Sequence, residues 1–298
     1  MIPLIETKSS EEILLYQEEK LREHLAYLAE KSPYHQRLFK QHSIDWTTLK
    51  SLKDLSKIPT TKKEDLYTNN DDFFCVPTQE IVDFATTSGT LGDPVTFGLT
   101  DEDLDRLAYN EMISFQCASI QKGDRVQLMT TMDRRFMAGL AYFLGLRKMG
   151  ASVIRVGAGI PQLQWDSILL YKPKYLISVP SFLLKMIEFA EQNNIDYRNS
   201  SVKGVICIGE ALRNADLSPS LLHKKITEKW PLDLYSTYAS TEMATAFTEC
   251  EEKQGGHHHP ELIICEILDD NLQEVAEGEL GELVVTPLGC LLYTSDAA

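Results

Sequence analysis

Apolar positions along this chain follow two rhythms. In the middle of the sequence, short runs of branched and aromatic residues alternate with longer stretches whose apolar positions recur at helical spacing. Residues 126–129, 153–156, 175–179, 205–208 and 234–238 predict strands, and 136–149, 162–171, 181–192 and 215–229 predict the helices between them. Strand and helix in this alternation predict an α/β fold, a parallel sheet covered by helices. Such sheets bind ligands beyond the carboxyl ends of their strands, so chemistry is expected just after each run.

Both flanks read differently. Ser9 and Glu12 have the spacing of a capping box, and Leu14, Leu21, Leu25 and Leu28 then form one apolar stripe that ends at Ser32-Pro33. A polar region follows to about Asp72, punctuated by Ile58-Pro59. From Cys250 to Pro260 the chain is polar and rich in glycine and histidine. Residues 261–268 and 282–286 then predict two strands, with Asp269-Asp270-Asn271 as turn chemistry. This is an antiparallel β addendum rather than another βα unit.

Composition excludes several classes. The 298 residues are 43% hydrophobic and 24% charged, enough to bury a sizeable core. A net charge of −15 argues against a general nucleic-acid binder, which needs a basic face, but not against one small anionic ligand in a local site. The longest apolar run, from Phe136 to Leu146, is too short to span a bilayer, so no membrane partner is expected. The first dozen residues lack the pattern of a secretory signal. Six cysteines lie scattered without a CxxC pair, which fits a reduced, cytoplasmic protein. The oligomeric state is left open, with a homodimer among the arrangements allowed.

Two segments carry candidate chemistry. The first is Phe84-Ala85-Thr86-Thr87-Ser88-Gly89-Thr90-Leu91-Gly92-Asp93-Pro94-Val95-Thr96. Glycines let the backbone approach a ligand, successive N–H groups can form an anion nest, and hydroxyls add uncharged donors. The segment is not a Walker A loop, and by composition alone it also reads as an ordinary Ser/Thr/Gly loop. The second is Cys250-Glu251-Glu252-Lys253-Gln254-Gly255-Gly256-His257-His258-His259. Cys250, His257 and His259 could supply three ligands of a structural Zn²⁺, with Cys265, Glu251 or a group outside the sequence as fourth. The alternative is a polar loop with solvated histidines.

Thr87-Ser88-Gly89-Thr90-Leu91-Gly92-Asp93-Pro94 resembles the TSGTTGxP phosphate loop of the adenylate-forming enzymes, with Leu91 in place of the second Thr. Tyr235-Ser236-Thr237-Tyr238-Ala239-Ser240-Thr241-Glu242 is similar to their YGxTE segment. Gly278-Glu279-Leu280-Gly281-Glu282-Leu283 is similar to their GExGEL segment. Ile58-Pro59-Thr60-Thr61-Lys62-Lys63-Glu64-Asp65-Leu66 and Gly209-Glu210-Ala211 resemble the phenylacetate–CoA ligase branch. In order and spacing the resemblance covers roughly residues 55 to 289.

The resemblance implies a large N-terminal domain that takes ATP, a small-molecule carboxylic acid and coenzyme A. The acid becomes an acyl-adenylate, and the thiol then displaces AMP. It implies nucleotide contacts at Ser88, Gly89, Thr90 and Gly92, adenine walls at Gly209, Glu210 and Ala211 and at Tyr238, Ala239 and Ser240, and an α-phosphate contact at Thr241. Glu242 with Thr90 would hold Mg²⁺; Glu242 alone also reads as a carboxylate favoured at a helix N-terminus. Phe136, Met137, Leu140, Val179, Ser181 and Ala239 are candidates for an apolar acyl site, although such a stripe is also what a core requires. Catalysis of this kind is positioning and charge neutralisation.

Family members continue to a ribose-binding Asp motif and a small C-terminal lid carrying a catalytic lysine. Residues 290–298 match neither. The expectation is a large domain over 1–289 that is incomplete at its C-terminal end, a tail over 290–298 outside the family pattern, no lid, and weak or absent adenylation by this chain. The alternative is a non-catalytic nucleotide- or zinc-binding module.

Overall fold

The computed structural model describes residues 3–87, 94–289 and, as backbone, 295–297. The chain packs as two units. One comprises Arg106–Ala239 and Ala246–His258; the other comprises Ile2–Asp105, Ser240–Thr245 and His259–Ala298.

The first unit is built on the predicted βα alternation. Its strands include β3 (Arg125–Leu128), β4 (Ser152–Arg155), β5 (Tyr175–Ser178), β6 (Gly204–Cys207), β7 (Asp233–Ser240) and β8 (Thr245–Thr248), ordered β4-β3-β5-β6-β7-β8. The pairs β3/β4, β3/β5, β5/β6 and β6/β7 are parallel. Every residue of β5 and β6 is buried, which is why both are rich in apolar residues. Successive side chains point to opposite faces. Leu176, Val205 and Cys207 enter a cluster with Trp165, Met186 and Trp230, while Ile177 and Ile206 enter another with Phe115, Tyr142 and Leu146. The first cluster is covered by α6 (Pro161–Tyr171), α7 (Pro180–Gln192) and α8 (Leu221–Lys229), the second by α4 (Asp101–Cys117) and α5 (Met137–Met149). Where α4 meets α5 the backbones nearly touch: a Cβ on Gly145 would lie 2.4 Å from the Glu111 Cβ. Among the described residues β4 pairs only with β3, so it forms one edge of the sheet.

The second unit opens with α1 (Ser10–Lys31), whose Ser9 accepts from the Glu12 N–H while Glu12 accepts from the Ser9 N–H, the predicted capping box. Leu21 and Leu25 pack with Phe39, Leu49, Leu55, Ile264 and Leu288. The polar stretch after Pro33 is more ordered than its composition suggests, with α2 (Pro33–Gln41) and α3 (Lys63–Thr68). An antiparallel hairpin of β1 (Asp83–Thr86) and β2 (Thr96–Leu99) was also not evident from the sequence. The addendum is β9 (Ile263–Leu268) against β10 (Glu282–Pro287), and β10 also pairs with β11 (Ser295–Ala297). The turn after β9 is the expected Asx turn: Asp269 Oδ1 accepts from the Asn271 and Gln273 N–H groups.

Candidate functional site

Parallel order places the carboxyl ends of β3, β5, β6 and β7 along one sheet edge. After β6 the chain turns at Gly209, whose φ of +74° favours glycine although no atom crowds its missing Cβ. Gly209 and Ala211 are exposed and Glu210 is half-buried. The Glu210 side chain folds back across the edge, where its Oε2 accepts from the Ser181 N–H at 2.8 Å. That amide sits in the first turn of α7, which begins at Pro180, so the carboxylate satisfies a helix-terminal donor and complements the dipole.

The neighbouring strand β7 ends in Tyr238, Ala239 and Ser240. Tyr238 is 44% exposed and Ala239 is exposed. The Tyr238 ring stacks on Phe247 of β8, with centroids 6.3 Å apart. The sheet thus brings Gly209–Ala211 and Tyr238–Ala239, 27 or more residues apart in sequence, onto adjacent strand ends with free surface above them. β8 is fixed from α4: Asn110 Oδ1 accepts from the Ala246 N–H and Ser114 Oγ donates to its carbonyl. Beside Asn110, the wholly buried Glu111 has its carboxyl pushed up to about 8 by loss of water.

Within the second unit, the Ser240–Thr245 segment is a turn in which Ser240 Oγ accepts from the Met243 N–H at 3.1 Å. Thr241 and Glu242 are half-buried there, while Met243 and Ala244 are buried. Glu242 presents hard carboxylate oxygen, the donor type a magnesium–phosphate complex uses. Thr87 and Val95 close the base of the other predicted ligand loop: the Thr87 N–H donates to the Val95 carbonyl and the Val95 N–H to Thr87 Oγ1, both at 3.0 Å. The loop residues themselves, Ser88, Gly89, Thr90 and Gly92, lie outside the described residues.

The acyl-site candidates divide. Phe136 and Ser181 are exposed, Leu140 and Val179 half-buried, and Met137 is 6% exposed. Phe136, Met137 and Leu140 lie at the start of α5 beyond β3, and Val179 and Ser181 at the start of α7 beyond β5. All five therefore belong to the same sheet edge.

The zinc expectation gains no support from the described residues. Among the described residues no group of three or more His, Cys, Asp or Glu side chains is arranged to hold a metal ion. His259 is fully buried, with its Nδ1 2.6 Å from Glu6 Oε1. Burial pushes the Cys265 thiol up to about 12. Arg213 and Glu249 are the pair that sequence reading missed. Arg213 Nε and Nη2 donate to the two Glu249 oxygens at 2.9 and 3.0 Å, and a separation of 36 positions leaves no local signal for it.

The model of the AMP-binding enzyme family matches residues 8–289. The chain is 28% identical over 291 residues to the phenylacetate-coenzyme A ligase of Thermus thermophilus, covering 96% of this chain and 64% of that protein. It is 29% identical over 294 residues to the phenylacetate-coenzyme A ligase of Aromatoleum evansii, covering 95% and 64% respectively. The chain thus spans about 64% of the length of these curated relatives. Among solved structures it is similar to the open conformation of 2-hydroxyisobutyryl-CoA ligase bound to 2-HIB-AMP and CoA. That match has a TM-score of 0.87 at 23% identity and covers 98% of this chain and 70% of the other. At that identity the likeness establishes the adenylate-forming fold.

Proposed function

The chain belongs to the AMP-binding enzyme family, and from that premise we propose that its protein is an acid–CoA ligase in which residues 1–289 form the adenylating large domain. A carboxylate oxygen of the acid attacks the α-phosphorus of ATP. The new P–O bond forms as the α–β anhydride breaks, releasing pyrophosphate and leaving an acyl-adenylate. The thiol of coenzyme A, losing its proton, then attacks the acyl carbon, and AMP departs as the thioester forms. Each step is balanced with no oxidant and no metal redox.

The protein's contribution in this scheme is geometric and electrostatic. Gly209–Ala211 and Tyr238–Ala239 flank the adenine, and the exposed Tyr238 ring offers a stacking face. The 88–92 loop supplies N–H and hydroxyl donors to the phosphates, and Thr241 reaches the α-phosphate. Glu242 and Thr90 would hold Mg²⁺, which when bound neutralises phosphate charge. Phe136, Leu140, Val179 and Ser181 border the acid, and the apolar character of the first three favours an aryl or alkyl acid, in keeping with the relatives named for phenylacetate.

The observation that carries this reading is the placement of residues 209–211 and 238–239 on adjacent parallel strand ends. Calorimetric titration of the 298-residue chain with AMP and Mg²⁺ tests it. Binding is expected, and Glu242→Gln should weaken its magnesium-dependent part about tenfold. Unchanged binding in Glu242→Gln removes that residue from the metal role. Exchange of labelled pyrophosphate into ATP, dependent on phenylacetate, is the expected activity of the whole protein. AMP binding without exchange for any acid tested would instead leave a nucleotide-binding module without catalysis.

A further inference from the structure

The adenine walls proposed above stand on adjacent strand ends, yet parallel pairing of β6 and β7 stops at Cys207 and Ser236, before either wall begins. Beyond those residues some other contact must set the spacing. One candidate reaches both segments. Arg213 leaves the same loop as Gly209–Ala211, just after the fully buried Leu212. Its guanidinium engages the Glu249 carboxylate in two-pronged fashion, at 2.9 and 3.0 Å. The Arg213 side chain is 10% exposed and that of Glu249 2%.

Glu249 is tied to β7 as well. Its Oε2 accepts from the Ser236 N–H at 2.9 Å, and its own N–H donates to the Ser236 carbonyl at 3.0 Å. Ser236 lies two residues before Tyr238. One carboxylate therefore joins the β6 loop, β7 and the residue following β8. The far side of the loop is held by Glu210 on the first turn of α7 and by a bridge between Arg213 and Pro219. A buried ion pair gains little stability over apolar packing, because desolvation offsets its attraction. What it does supply is direction: two parallel N–H···O bonds fix both the distance and the plane of the partner.

We propose that Arg213 and Glu249 are positioning residues for the nucleotide: their ion pair holds the Gly209–Ala211 segment at a set distance from Tyr238 and Ala239, so that an adenine ring fits between. Neither residue belongs to the walls themselves. This inference rests on the nucleotide reading above, and its test separates the two.

Amide hydrogen exchange is first measured on the ligand-free chain, then AMP affinity with Mg²⁺. Glu249→Gln keeps an acceptor for the Ser236 N–H but removes the charge; Arg213→Met removes the donor fork; Arg213→Lys keeps the charge with a single prong. In Glu249→Gln and Arg213→Met, exchange should quicken across residues 208–213 while amides in α6 and α7 keep their protection. AMP affinity should fall about tenfold, with Arg213→Lys between these variants and wild type. If Glu249→Gln and Arg213→Met do not fold, Arg213→Lys alone decides the matter by the same two readouts. Unchanged exchange over 208–213 overturns the proposal, and so does quickened exchange with unaltered AMP affinity. Failure of the wild-type chain to bind AMP overturns the nucleotide reading, and the positioning role falls with it.

Discussion

Glu111 carries its proton at neutral pH, because burial pushes the carboxyl up to about 8. In the unfolded chain it titrates near the ordinary carboxylate value. Between those two values the folded protein binds more protons than the unfolded one, so this residue lowers stability as pH rises from about 4.5 to 8. Glu111→Gln, which keeps an oxygen for the Asn110 amide, should be more stable than wild type at pH 7.5 by on the order of 1–3 kcal/mol. The gap should close at pH 5, as read by urea unfolding at the two pH values. Gly209 makes a second prediction. Its φ is +74°, so Gly209→Ala should destabilise by about 1–2 kcal/mol through the left-handed backbone alone. Because the space beside it is open, denaturation should report that loss without a change in the slope of the transition. Residues of this kind were only half legible. Gly209 and Glu210 could be located from the strand before them, whereas the Glu210–Ser181 and Arg213–Glu249 contacts depend on the tertiary course of the chain.

At the scale of elements, legibility followed burial. The four-residue strands β5 and β6 are mostly apolar because both faces are covered, and their positions were foreseen to within a residue. Helix α4 was not foreseen. It begins Asp-Glu-Asp and buries Asn110, Glu111 and Ser114 among Leu107, Ile113 and Phe115, so polar residues interrupt its inward stripe and break the apolar periodicity that sequence reading relies on. Those polar residues have work inside: Asn110 and Ser114 bond β8, and Glu111 lies against Gly145. Close approach of α4 and α5 at Gly145 yields a third prediction. With only 2.4 Å between a new Cβ and that of Glu111, Gly145→Val must push the helices apart and should cost about 3 kcal/mol. Thermal unfolding followed by circular dichroism checks it.

For the molecule as a whole, titration sets a window of best stability. His35 in the second unit is forced down to about 3 by burial and by the nearby His24. It stays neutral when folded, so the unfolded chain binds the extra proton and stability falls as pH drops from about 6.5 toward 3. Glu111, and Glu266 raised to about 7 by burial and by Glu274, act in the opposite sense as pH rises. Stability is expected to fall toward both acid and alkaline pH, and His35→Asn should flatten only the acid side of the profile. Thermal midpoints across pH 4–8.5 decide this. Among the described residues no helix is long and apolar enough to cross a membrane.

The open side of β4 has a practical consequence. Ser152 and Arg155 are exposed along a strand that also carries Val153 and Ile154, and Val156 follows. Its outward backbone groups could template a foreign extended chain, and the arginine is the charge that discourages stacking. Arg155→Val would leave four consecutive branched aliphatic residues on that rim. Concentrated stocks of such a variant should cloud on standing, with light scattering rising over hours, while stocks of the parent stay clear.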